Sequence, residues 1–197
     1  MIKRIFAALF LAVLVSAGPA WAEWQVAEAS RVQFVSIKNN AIGEISRFER
    51  ISGTVDDQGA VELRVALDSV ETNIGIRNER MKEMLFEVGL YPEAVITAQL
   101  DKDAMAALVS NRLAMMPVLL QIDLHGQVVS KEAKLTVAAT DTGFSATSSE
   151  PILLNAAEFG LEDGVAALQS VAGLDAISRV IPVTVSFNFA KVAAASP

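Results

Sequence analysis

One histidine, His125, and no cysteine leave this 197-residue chain little with which to do covalent or metal chemistry. A cysteine nucleophile is excluded by composition, and a Ser-His-Asp triad would have to be built around His125. That residue sits in "DLHGQ", beside a glycine at an expected hairpin turn, where it reads as a solvent-facing turn residue rather than a general base. Zinc or haem would need more histidine or cysteine ligands than the chain holds. The 23 acidic residues are scattered along alternating segments and read as solvated strand faces rather than as paired acid and base. "DDQG" starts like a calcium loop but lacks its length and terminal glutamate, and no glycine-rich phosphate loop occurs. The chain therefore reads as a non-enzyme without metal, haem or other cofactor.

The more informative chemistry is apolar. "RNERMKEMLFEV" reads as a short amphipathic helix in which Met81, Met84, Leu85 and Val88 share a stripe while Lys82, Glu83 and Glu87 face away. Arg77 falls on the edge of that stripe. One reading makes the stripe a plug for an open barrel end, with Arg77 paired to Asp68 or Glu71. The other makes the methionines an adaptable lid over a lipid, with Arg77 near its polar end.

The elements that would position this helix are strands. In "VELRVALDSV", Val61, Leu63, Val65 and Leu67 alternate with polar residues, and in "PVTVSFNFAK", Val183, Val185, Phe187 and Phe189 do the same. Weaker alternation runs through "SRVQFVSIK", "GEISRFERISGTV", "EAVITAQL", "RLAMMPVLLQIDL", "KEAKLTVAAT" and "GFSATSSEPILL". "DDQG", "LHGQ" and "TDTG" supply hairpin turns. About eight short-turn strands predict a sandwich or a barrel. A second helical insertion is expected in "FGLEDGVAALQSVAGL", where Leu161, Val165, Leu168 and Val171 share a face before Gly173 ends the run.

The first 22 residues, "MIKRIFAALFLAVLVSAGPAWA", read as a signal peptide: Lys3 and Arg4 lead an apolar run from Ile5 to Val15, and Ala20-Trp21-Ala22 gives a small-x-small cleavage pattern. The expected mature chain begins at Glu23, in the periplasm or outside the cell, with one domain over residues 23–192. Its balance of 14 basic against 23 acidic residues, −9, argues against nucleic-acid binding and polybasic membrane attachment, and no later segment predicts stable membrane insertion. At this size a single domain buries roughly 70% of its unfolded surface without disulfides.

Several stretches together resemble the YceI family of polyisoprenoid-binding, lipocalin-like periplasmic proteins. They are "VQFVSIKNNAIGEISRFERISGTV", with Phe34, Phe48 and Gly53 at the family spacing, "SVETNIGIRNERM", "LFEVGLYPEAVITA", and the hairpin "LLQIDLHGQVVSKEAKL". With the final strand they span essentially the whole mature chain. The resemblance implies a mainly β fold, an eight-stranded antiparallel barrel with one short helix over a mouth and a second helical insertion before the last strand. It implies an apolar cavity for an isoprenoid-like amphiphile such as a quinone or polyprenyl lipid. The ligand-binding positions expected are Phe34, Phe48, Leu67, Arg77, Met81, Met84, Leu85 and Phe187. A homodimer is compatible with this reading. Three departures stand out: Lys38 and Arg80 occupy positions where many relatives carry histidine, and Asn78 replaces an aspartate. The competing reading keeps the barrel but fills it with side chains, leaving an interaction or stress-protective module. The alanines, serines and threonines of "AKLTVAATDTGFSATSS" lean toward an open interior.

Overall fold

The computed structural model describes residues 24–192, so the leader read in the first 22 residues lies outside the described residues. Twelve strand segments make eight staves. β1 (Trp24–Val26) and β2 (Arg31–Lys38) form the first, β3 (Ile42–Phe48) and β4 (Ile51–Val55) the second, and β5 (Ala60–Ala66) and β6 (Val70–Glu71) the third. β7 (Glu93–Gln99), β8 (Leu113–Leu124) and β9 (Gln127–Ala139) follow singly. β10 (Gly143–Ser148) and β11 (Ile152–Asn155) form the seventh, and β12 (Val180–Lys191) the last. Each stave is antiparallel to the next, and β12 closes the ring by pairing with β10 and β11 on one edge and β1 and β2 on the other. The result is a closed up-and-down barrel of eight staves, which leaves no long edge exposed.

The staves bend where a serine hydroxyl replaces a missing ladder partner. Between β1 and β2, Ser30 accepts from the Asn188 N–H at 3.0 Å and donates to the Ala27 carbonyl at 2.8 Å. Between β3 and β4, Ser69 accepts from the N–H groups of Glu49 and Arg50 and donates to Ala66. After β10, Ser148 accepts from the Val185 N–H at 3.1 Å. Segments that read as single strands, "GEISRFERISGTV" and "GFSATSSEPILL", are thus each two strands around a corner.

The strand faces fall as the alternation predicts. Val61, Leu63, Val65 and Leu67 turn inward, as do Val183, Val185, Phe187 and Phe189. Three helices, not two, interrupt the meander. α1 (Gly75–Arg80) runs into a π-turn over Met81–Leu85, α2 (Lys102–Asn111) joins β7 to β8, and α3 (Glu162–Val171) precedes β12. α2 is an addition to the sequence reading. Asp101 caps it by accepting from the Ala104 N–H at 2.9 Å, and Met105 and Leu108 point into the barrel. α3 packs against the π-turn at the opposite end, so α1 and α3 share one mouth and α2 covers the other. Gly164 makes that packing close: a Cβ there would stand 2.6 Å from the Met84 carbonyl oxygen. No described helix is long and apolar enough to cross a membrane.

Candidate ligand-binding cavity

The barrel encloses a cavity of about 480 Å³, inside the range usual for small-molecule sites. Its wall is almost wholly apolar. At the α2 end the rings of Phe144 and Phe189 stack at 4.6 Å, with Trp24 edge-on to Phe144 at 5.6 Å. At the α1 end Phe34, Phe48 and Phe86 form a second aromatic group with centroid spacings of 5.5 and 5.7 Å. The alanines of the "AKLTVAATDTGFSATSS" stretch do line this space, through Ala139 and Ala146, while Thr136 and Thr147 hydrogen-bond to serines on the exposed outer face.

Polarity enters from one end only. The inward face of β2 runs Val32, Phe34, Ser36, Lys38, and the cross-strand partners on β3 run Phe48, Ser46, Glu44, Ile42. On β2 two apolar positions therefore give way to two polar ones toward the mouth that α1 covers. Glu44 takes both Lys38 and Arg77 on the same oxygen, and these partners, Lys38 first, hold its carboxyl below the usual glutamate range against the opposing effect of burial. Arg77 also donates to the Thr72 carbonyl at 2.6 Å. Arg80, Ser178 and Asn155 also line this end of the wall.

Of the residues expected to touch a ligand, Phe34, Phe48, Leu67, Arg77, Met81, Leu85 and Phe187 all line the cavity. Met84 does not. The helix leaves the 3.6-residue period at Met81, where the Phe86 N–H reaches back five residues to the Met81 carbonyl at 2.9 Å. The wider π-turn carries Met84 off the stripe and brings Phe86, which the sequence reading left out, beneath Met81. Arg77 pairs with Glu44, not with Asp68 or Glu71. Asp68 binds Arg50, while Glu71 accepts from the Asn78 amide at 3.0 Å. Asn78 is buried and its Oδ1 accepts from both the N–H and the hydroxyl of Thr72, so it ties α1 to the strand before it. The α3 face expected from Leu161, Val165, Leu168 and Val171 lies on the cavity wall.

His125 occupies the first position of the β8–β9 turn with φ 55° and Gly126 follows at φ 74°, the paired positive values of a tight hairpin. Its side chain is only 14% exposed, which corrects the solvent-facing expectation. The ring lies 4.3 Å from that of Tyr91 and its Nε2 is 2.8 Å from Glu87, so it fastens the hairpin to the segment after the π-turn. Among the described residues no serine or threonine hydroxyl hydrogen-bonds to it, and it is not part of the cavity wall.

A family model for the YceI-like domain matches residues 24–189. The structure of a polyisoprenoid binding domain from Saccharophagus degradans, implicated in plant cell wall breakdown, is 30% identical, with a TM-score of 0.81 over 87% of this chain and 100% of that one. BcnA from Burkholderia cenocepacia shares the fold at 14% identity, with a TM-score of 0.60 over 80% of this chain and 94% of that chain. No curated protein matches the sequence.

Proposed function

Because the chain belongs to the YceI-like family, we propose that it is a binding protein that holds a long-tailed, isoprenoid-like amphiphile inside the barrel, for carriage or sequestration. The observation that carries this reading is the cavity, about 480 Å³ of apolar space with polar groups at one end only. Filling such a volume with apolar atoms recovers packing on the order of 10 kcal/mol, at about 24 cal/mol per Å³. That is comparable to the whole stability of a domain, which favours a lipid-holding barrel over a barrel packed solid by its own side chains. The polyisoprenoid binding named for the S. degradans relative supports the same ligand class. The reading involves no chemical turnover; the ligand-contacting set is Phe34, Phe48, Leu67, Arg77, Met81, Leu85, Phe86 and Phe187.

The basic, apolar and small-residue order of the first 22 residues supports a periplasmic or secreted address, where a free polyprenyl chain needs apolar cover. Intact-mass analysis of the secreted protein should show Glu23 at the amino terminus; a mass that retains the leader would refute that address. The ligand is tested by mass spectrometry of an organic extract of natively purified protein. A long-tailed lipid should be recovered, and thermal stability should rise when quinones or polyprenols are added. Recovery of no lipid, with no stabilisation, would favour the interaction module instead.

A further inference from the structure

Three isoleucines stand out from the mouth that α1 and α3 share. Ile42 opens β3 opposite Lys38, the last residue on the inward face of β2, and is 54% exposed, so it carries the inward face of β3 beyond the wall. Ile74 and Ile76, at the entry to α1, are 45% and 61% exposed. The pairing of Arg77 with Glu44 brings these two segments together, since Arg77 follows Ile76 and Glu44 lies just beyond Ile42. Across the mouth, Asn39 Oδ1 accepts from the Asp175 N–H at 3.0 Å and ties the β2–β3 turn to the chain leaving α3, where Val171 is also exposed. The exposed apolar side chains therefore come from separate segments and edge one opening.

The two ends of the barrel also differ in charge. The far end, under α2, presents the exposed Asp57, Asp101, Asp103 and Asp141, of which Asp141 pairs with Arg112. At the α1 end Lys38, Arg77, Arg80 and Lys82 more than offset Glu44, Glu79 and Asp175. A phosphate-rich surface therefore repels the far end and admits the isoleucine end, which orients the barrel against it. Isolated apolar tips around an opening suit a bilayer, whose interface takes up such side chains without matching their shape, as a protein partner would have to. The cavity behind the opening points the same way. A long-tailed lipid moving between bilayer and barrel through water would expose its tail at a cost that grows with every methylene, and seating the mouth on the bilayer removes that exposure. We propose that Ile42, Ile74 and Ile76 form a docking rim that seats the α1 mouth on a phospholipid bilayer while the amphiphile is exchanged. This rests on the amphiphile-binding reading above and adds to it the surface from which the ligand is taken or to which it is delivered. The contact is shallow and reversible, and it neither spans the membrane nor depends on a polybasic patch.

The experiment measures flotation of the full secreted protein with vesicles of phosphatidylethanolamine and phosphatidylglycerol, and the transfer of fluorescently labelled geranylgeraniol from protein to those vesicles. Native protein should float with the vesicles, and the transfer rate should rise with vesicle concentration, as collision requires and passage through water does not. The double variant Ile74→Glu, Ile76→Glu should lower vesicle partition and transfer rate by at least about tenfold. Its affinity for the probe in vesicle-free buffer should stay native, because neither side chain lines the cavity. Ile42→Glu gives a second test from β3 if the double variant does not fold. Met115→Glu is the control: Met115 is 80% exposed on the outward face of β8, away from the mouth, and its replacement should leave partition unchanged. Native protein that does not float, or partition unchanged in both isoleucine variants, overturns the docking rim. An equal loss in Met115→Glu would mean general surface stickiness and also overturns it. So would light scattering that shows the native protein self-associating through these isoleucines without binding vesicles, since the occupant would then be a second copy of the chain. If vesicles bind through the isoleucines and the probe does not bind in vesicle-free buffer, the amphiphile reading falls and the membrane contact stands.

Discussion

Gly164→Ala sets two well-measured effects against each other. Gly164 lies inside α3, where alanine is favoured over glycine by about 1 kcal/mol if nothing obstructs it. A Cβ there, however, would stand 2.6 Å from the Met84 carbonyl oxygen and 2.9 Å from Leu85 Cα. Both are main-chain atoms of the π-turn, so no rotamer change relieves the clash. Restoring an ordinary contact of 3.4 Å requires α3 and the turn to part by about 0.8 Å. Overpacking of this kind costs about 1–3 kcal/mol, which exceeds the propensity gain. The net loss is up to about 2 kcal/mol, and each kcal/mol lowers Tm by about 2–4 °C in a domain of this size. Because α3 and the π-turn together cover the cationic mouth, the same displacement should speed ligand release. Thermal melting by circular dichroism and stopped-flow release of a bound isoprenoid test both halves. A Tm that holds or rises, with release at the native rate, would refute the seating of α3 on the π-turn.

Other perturbations separate lid, wall and charge. Leu85→Lys places an ammonium on the cavity side of the π-turn and should accelerate ligand dissociation in protein that circular dichroism shows to be folded; release at the native rate would make the helix a plug with no part in binding. Lys82→Glu, whose residue faces away and pairs with Glu79 at 2.9 Å, should leave release unchanged and alter stability by about 0.5 kcal/mol at most. Glu44 has its carboxyl pKa lowered in the fold by Lys38 and Arg77, so its contribution to stability is full above the unfolded value near 4.5 and is lost as pH falls through the lower folded value. The Tm gap between native protein and Glu44→Gln should therefore be constant at neutral pH and close on acidification below about 4.5; a gap independent of pH would mean that the pairing contributes nothing.

What was legible in the sequence is what repeats with a fixed period. The inward faces of β5 and β12 follow from alternation because one side of each meets the cavity and the other meets water. α3 was legible for the same reason, as Leu161, Val165, Leu168 and Val171 return at the helical period. α2 has its signals in the sequence: Asp101 as a cap, then Ala104, Met105, Ala106, Ala107 and Leu108, all good helix formers. Its weak amphipathicity hides it in the sequence: Met105 and Leu108 reach the barrel interior and Ala104 packs against the core, while Asp103 and Ala106 are exposed. The π-turn was not legible at all. A period of 3.6 puts Met84 on the ligand side and leaves Phe86 unassigned, and the π-turn takes Met84 off the cavity wall and puts Phe86 on it. The Arg77 partner was missed for a different reason. Glu44 is 33 residues distant in sequence, and the pairing of β3 with β6 and the placement of α1 bring the two together.

Ring closure also gives the sequence "VQFVSIK" its meaning. Taken as a strand, it offers two faces: Val32, Phe34, Ser36 and Lys38 on one, and Gln33, Val35 and Ile37 on the other. Alternation alone would have buried either. In the barrel the mixed face is the inward one, and its cross-strand neighbours on β3 run from Phe48 through Ser46 to Glu44 before the exposed Ile42 at the strand end. An interior serving only as a core gains nothing from Lys38 there, since a buried cation must be paired and desolvated where an aliphatic side chain would cost less. The grading makes sense when the interior serves as a binding surface for a molecule that is itself graded, apolar along most of its length and polar at one end. The cations of α1 then lie where the polar end of such a molecule would stop, and α2 closes the end that its tail would reach.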